Sequence, residues 1–100
     1  MSVREREVEA YMRRRVEEQG GRFEKFLPDL DSGMPDRILM LPGGVLVWVE
    51  TKKPKGGRVG KLQRVQHDRL RRLGQRVEVV WTKEQADALV TELTSAGAPA

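Results

Sequence analysis

Two short runs carry residues that could do chemistry together. One is Gly33-Met34-Pro35-Asp36 and the other is Glu50-Thr51-Lys52, with thirteen residues between Asp36 and Glu50. Between them lie two apolar runs, Arg37-Ile38-Leu39-Met40-Leu41 and Val45-Leu46-Val47-Trp48-Val49. Such runs suit strands buried on both faces. Pro42-Gly43-Gly44 joins them, and glycine supplies the positive φ that a tight turn needs. A three-residue turn at Pro42, Gly43 and Gly44 sets Asp36 opposite Glu50. A two-residue turn at Gly43-Gly44 sets Asp36 beside Thr51. Either register brings Asp36 and Glu50 to the same end of the sheet. Side chains alternate along a strand, so Glu50 and Lys52 share one face and Thr51 takes the other.

Two close carboxylates repel each other, and a divalent cation relieves the repulsion. Mg²⁺ prefers oxygen ligands and typically uses one or two carboxylates plus substrate phosphate oxygens. An exposed backbone carbonyl at Thr51 could add another oxygen. A metal here could activate water and neutralise charge developing on phosphorus. Lys52 could position or help deprotonate that water, or stabilise the pentacoordinate phosphorus. This is equipment for cutting a phosphodiester. An ordinary surface cluster, with Lys52 paired to Glu50 or Asp36, fits the spacing equally well.

The elements that must position these residues follow from periodicity. Ser2 to about Gln19 reads as a helix, with Val8, Tyr11, Met12 and Val16 on one face. Ser2 and Glu5 fit a capping box, and Gly20-Gly21 stops the helix. Arg22 to Leu27 reads as a short edge strand, and Pro28 to Pro35 as a loop. After a polar loop over Lys53 to Gly60, Lys61 to Leu73 reads as a helix. Its apolar side is Leu62, Val65, Leu70 and Leu73, and Gly74 ends it. Val77 to Trp81 is a strand. Thr82 and Gln85 form a second capping pattern, opening a helix with Ala86, Leu89, Val90 and Leu93 inward. Trp48, Trp81 and Tyr11 read as core, Gln66 as a buried amide, and His67 as a surface residue. The order is α-β-β-β-α-β-α, an α/β fold with one sheet and flanking helices. Residues 1–94 form one domain, and 95–100 a disordered tail.

Composition narrows the partners. The chain has 100 residues and a net charge of +4. From Lys52 to Arg76 there are ten Lys and Arg against one acid, Asp68. A polyanion suits such a segment, nucleic acid first, although a solvated helix face would look the same. Lys53, Lys55, Arg58, Lys61 and Arg64 could contact phosphates, adding affinity without sequence readout. No cysteine is present, which excludes disulfides, zinc-thiolate sites and a thiol nucleophile. No apolar run is long enough to span a bilayer and no signal-peptide pattern is visible, so a cytoplasmic location is expected.

Gly33-x-Pro35-Asp36-Arg37, Val49-Glu50-Thr51-Lys52, Gly57-Arg58-Val59-x-x-Leu62-Gln63 and Gly74 together resemble the VRR-NUC nucleases. These belong to the PD-(D/E)xK superfamily, with a restriction-endonuclease-like fold. The similarity runs from Glu5 to about Val90. It implies an α-β-β-β-α-β core with a mixed central sheet, and Mg²⁺ or Mn²⁺ at Asp36 and Glu50. It also implies a catalytic Lys52, and a catalytic glutamine at Gln63. The family's glutamate on the first helix falls on Glu5 or Glu9. Gly60 departs from the Ser or Thr usual near that position.

The expected function is a metal-dependent DNA endonuclease. Free-standing members of this family resemble phage and prophage nucleases acting on branched DNA, which would place the chain in a bacterial host cell. Symmetric cutting of a four-way (Holliday) junction needs two active sites, so a homodimer is expected. Its interface would lie at Phe23, Phe26 and Leu27 or on a face of the first helix. A non-catalytic nucleic-acid-binding module, or a nuclease for flap or linear ends, is the alternative.

Overall fold

In the computed structural model, which describes residues 3–26 and 33–96, Pro42, Gly43 and Gly44 together form the central turn. Gly43 and Gly44 adopt φ of +92° and +80°, values that side chains disfavour. The strands they join are β2 (Arg37–Leu41) and β3 (Val45–Thr51). Their antiparallel register runs from Leu41↔Val45 to Arg37↔Val49. One step further along that register sets Asp36 opposite Glu50, as the three-residue turn requires.

Around this hairpin the chain adds α1 (Glu5–Glu18), β1 (Arg22–Lys25), α2 (Lys61–Arg72), β4 (Val77–Val80) and α3 (Lys83–Ala96). The sheet order is β1-β2-β3-β4. β1 is antiparallel to β2, and β4 is parallel to β3. The sheet is therefore mixed, and α2 is the crossover between its two parallel strands. The result is an α/β fold with the expected α-β-β-β-α-β order and a mixed central sheet.

The two faces of the sheet are covered unequally. Leu39, Leu41, Val47 and Val49 join one core with Val8, Met12 and Val16 of α1 and Ala86, Leu89, Val90 and Leu93 of α3. The stripes read from the sequence of both helices are thus buried as expected. On the other face Ile38, Met40 and Trp48 are half-buried, and Leu46 is exposed. The hairpin is not sealed on both sides, because α1 and α3 share one face.

α2 corrects the sequence reading most. Leu62, Val65 and Leu73 are exposed, Leu73 by 77%. The one buried residue of this helix is His67. The stripe turned to the sheet is Gln63, Gln66, His67 and Leu70, which follows helical spacing but is mostly polar.

Local details follow the chemistry of the termini. Thr82 Oγ1 accepts the Gln85 N–H at 3.0 Å, while Gln85 Oε1 accepts from Trp81 N–H rather than Thr82. Arg4 occupies the N-cap of α1 without a side-chain bond. Ser2, the expected cap, lies outside the described residues, as do Leu27 and 97–100. α3 continues through Ser95 to Ala96. Tyr11 packs at the core edge and donates to Asp87 Oδ2 at 2.7 Å. Trp48 is half-buried and meets Phe26 edge-on, with centroids 5.1 Å apart. Trp81 is also half-buried. Among the described residues, no helix is long and apolar enough to cross a membrane.

Met12→Ala should cost about 2–5 kcal/mol by emptying a filled core position. Leu73→Lys should change stability by less than about 0.5 kcal/mol. Urea unfolding of both variants checks the assignment of faces. A large loss for Leu73→Lys would contradict it.

Candidate metal centre at the end of the hairpin

Asp36 is tied to β1 through its backbone. Its carbonyl accepts the Phe26 N–H at 2.9 Å, which extends the β1–β2 pairing by one step. Pro35 before it is fully buried. At Gly33 a Cβ would lie 2.7 Å from both Leu62 Cγ and the Leu62 carbonyl oxygen. Glycine there lets the loop before Asp36 lie against the start of α2.

Glu50 sits near the end of β3, only 4% exposed. Lys52 Nζ stands 3.5 Å from its Oε2, on the shared face that alternation requires. The Lys52 backbone N–H donates to Val80 O at 2.9 Å, which fixes the lysine beside β4.

From the opposite face, α1 supplies Glu5 and Glu9 one turn apart. Carboxylate oxygens of Glu5, Glu9 and Asp36 lie within 4.8 Å of one another. Glu9 is also bonded within the protein. Its Oε2 accepts from Arg37 Nη2 at 2.5 Å, and its Oε1 accepts from Thr51 Oγ1 at 2.7 Å. Arg37 is buried and holds Glu9 beside the cluster. Thr51 has no exposed surface, so the expectation of an exposed carbonyl there is corrected. Side-chain parity sends its hydroxyl to α1.

The electrostatics follow from burial and like charge. Burial raises the pKa of Glu50, Asp36 adds to the rise, and Lys52 opposes it, leaving Glu50 at about 7. Burial also raises Asp36, with Arg37 working against it and Glu9 with it. Glu5 is raised by burial, then by Glu9 and Asp36. An ordinary surface ion pair would not leave its carboxylate this hard to ionise. Asp36 Oδ1 and Glu50 Oε1 are buried without a hydrogen-bond partner. Unpaired buried acceptors are costly, and more so when their groups ionise. The donors are all oxygens, which suits Mg²⁺ or Mn²⁺ and disfavours softer ions. The residues fit a divalent cation.

His67 is the residue missed by sequence reasoning. It is 2% exposed rather than a surface group, and its Nε2 lies 4.0 Å from Glu50 Oε1. Burial lowers its pKa, and Arg71 lowers it further. The legible signal was its place in the Gln63-His67-Leu70 stripe. Gln63 is half-buried, and its Oε1 accepts the Gly60 N–H at 2.8 Å, closing the start of α2. Lys53, Lys55, Arg58, Lys61 and Arg64 are all exposed along the loop and helix beyond Lys52. Gln66 is half-buried.

No family model matches the chain. It is 33% identical over 87 residues to "Putative nuclease p44" of Acyrthosiphon pisum secondary endosymbiont phage 1. That match covers 87% of this chain and 92% of the phage protein. A solved structure of a VRR_NUC domain superposes with a TM-score of 0.80 at 36% identity. It covers 87% of this chain and 94% of the domain. The chain belongs to the VRR-NUC nuclease family. For a VRR-NUC nuclease the acidic cluster is the place where a divalent metal could bind, with Glu5, Glu9 and Asp36 grouped most tightly. Glu50 stands just outside that trio, coupled to Asp36 and Glu5 through their charges.

The raised Glu50 pKa has a sign that can be measured. Between pH 4.5 and about 7 the folded state keeps a proton that the unfolded chain has lost. Rising pH through that window therefore removes on the order of 1–3 kcal/mol of stability from the metal-free protein. Glu50→Gln should raise the melting temperature relative to wild type at pH 8, with the advantage shrinking toward pH 4.5. Calorimetric melts of both proteins in EDTA test this. The same offset at both pH values would contradict it.

Proposed function

We propose that this VRR-NUC nuclease is an endonuclease that hydrolyses DNA phosphodiesters with Mg²⁺ or Mn²⁺ and prefers branched DNA. The observation that carries this reading is Lys52 Nζ standing 3.5 Å from Glu50 Oε2, at the end of the hairpin where Asp36 Oδ1 and Glu50 Oε1 are buried without hydrogen-bond partners. Asp36 and Glu50 would hold the cation, with Glu5 or Glu9 completing or water-bridging the set. When bound, the cation supplies charge neutralisation at phosphorus and a more acidic water. Lys52 would orient the attacking water and stabilise the negative charge of the transition state.

The chain's own residues would do the positioning. Lys53, Lys55 and Arg58 extend from Lys52, and Lys61 and Arg64 open α2, so one exposed basic track leads away from the centre. Phosphates bound along it would present a scissile bond to Lys52. Gln63 sits where that track meets the helix and is proposed to contact the substrate or its water. The phage origin of the 33% identical relative accords with a nuclease of branched phage DNA intermediates.

Symmetric incision of a four-way junction requires two centres, and each chain holds one. A two-fold homodimer is therefore part of the proposal. Phe23 is buried in the core and the apolar face of α1 points inward, Phe26 is half-buried, and Leu27 lies outside the described residues. Leu62, Val65 and Leu73 on α2 and Leu46 on β3 are the exposed large apolar residues among those described.

Labelled four-way junction, flap and linear duplex would be incubated with protein in Mg²⁺, Mn²⁺ or EDTA. Wild type should cut the junction in either metal and not in EDTA. Lys52→Ala should lose about 10²–10⁴-fold in rate while still binding DNA. No cutting in either metal, with binding retained, would sink the nuclease mechanism. Equal cutting of linear duplex would sink the preference for branches, and a scattering mass near one chain with junction bound would sink the dimer.

A further inference from the structure

We propose that His67 is a positioning residue that fixes the carboxylate of Glu50 for the metal, an inference that rests on the metal-centre reading above. His67 is the one buried residue of α2, and an aliphatic side chain would fill that place without leaving a polar atom stranded. Its Nε2 is instead buried without a partner, and so is Glu50 Oε1, the atom it faces at 4.0 Å. Each orphan is the complement of the other. A neutral imidazole carries a donor on one ring nitrogen, and an ionised carboxylate only accepts. Closing the gap to hydrogen-bond length requires a shift of about 1 Å.

His67 borders an open cleft of about 340 Å³ between α2 and β4, lined also by Val59, Arg71 and Val79. Glu50 is engaged on its other oxygen, where Lys52 stands 3.5 Å from Oε2. A donor from His67 on Oε1 would grip the carboxylate from the second side and leave it one orientation, toward Asp36. The polar stripe of α2 then has a reason. Gln63, Gln66 and His67 turn to the sheet because the helix lies over a polar site at that end of the sheet.

The test compares His67→Leu, which removes the donor, with His67→Gln, whose amide nitrogen reaches a similar point. Mn²⁺ binding would be followed by loss of the free-ion electron paramagnetic resonance signal, beside thermal melts and junction cleavage. His67→Leu should melt at or above wild type, bind Mn²⁺ about 10–100-fold more weakly and lose kcat rather than raise KM. His67→Gln should recover most of the loss. Equal Mn²⁺ affinity in wild type and His67→Leu would overturn the inference while leaving the metal centre standing. So would His67→Gln as weak as His67→Leu with both folded. Wild type that binds no Mn²⁺ would overturn the metal reading and this inference together. If His67→Leu does not fold, the comparison of His67→Met with His67→Gln decides by the same outcomes.

Discussion

Acidic side chains from three elements crowd one end of a β-hairpin, and burial leaves them poorly hydrated. Burial and like charge both act to keep a proton on Asp36, Glu5 and Glu50. Proteins tolerate such crowding where charge of opposite sign arrives from elsewhere. Part of it comes from within. Arg37 and the Thr51 hydroxyl hold Glu9, and Lys52 stands beside Glu50. The remainder is unmet, as the unpartnered oxygens of Asp36 and Glu50 show. The site spends stability to keep acceptors ready for a cation, a trade common at functional sites.

The fold serves that arrangement by dividing work between the faces of one sheet. The α1 side builds the core and also delivers Glu5 and Glu9 from a helix whose other face is buried. The opposite side is left thinly covered, with α2 touching it through His67. Asp36 lies where the two faces meet, just outside the first paired residues of β2, so it can see both sets of groups. Strand parity sorts the rest, sending Thr51 to α1 and Glu50 with Lys52 to α2. A change of turn length at Pro42-Gly43-Gly44 by one residue would break this sorting.

Much of this was legible in the residues themselves. The glycine turn fixed the hairpin register to two choices, and both placed Asp36 and Glu50 together. The stripes of α1 and α3 were legible because each packs against an apolar sheet face, where hydrophobic spacing and burial coincide. α2 misled for the converse reason. Its apolar residues at helical spacing face solvent, while the inward stripe is polar because it lies over charged groups. Hydrophobic periodicity cannot see a helix face chosen for its polar partners. Arg37 escaped for a related reason. It read as part of a motif and the start of a strand, and only the structure shows it buried against Glu9. Glu9 stood in the sequence as one of two candidates for the glutamate of the first helix, and its bonds to Arg37 and Thr51 appear only in three dimensions.

The claim on which the rest depends is that these crowded carboxylates bind a divalent cation and give up a proton in doing so. Calorimetric titration of Mn²⁺ at pH 7, in two buffers of different ionisation enthalpy, measures both at once. Saturable binding with a buffer-dependent heat that reports proton release, abolished in Asp36→Asn, is the expected result. Absence of saturable binding, or binding left unchanged by Asp36→Asn, would contradict it.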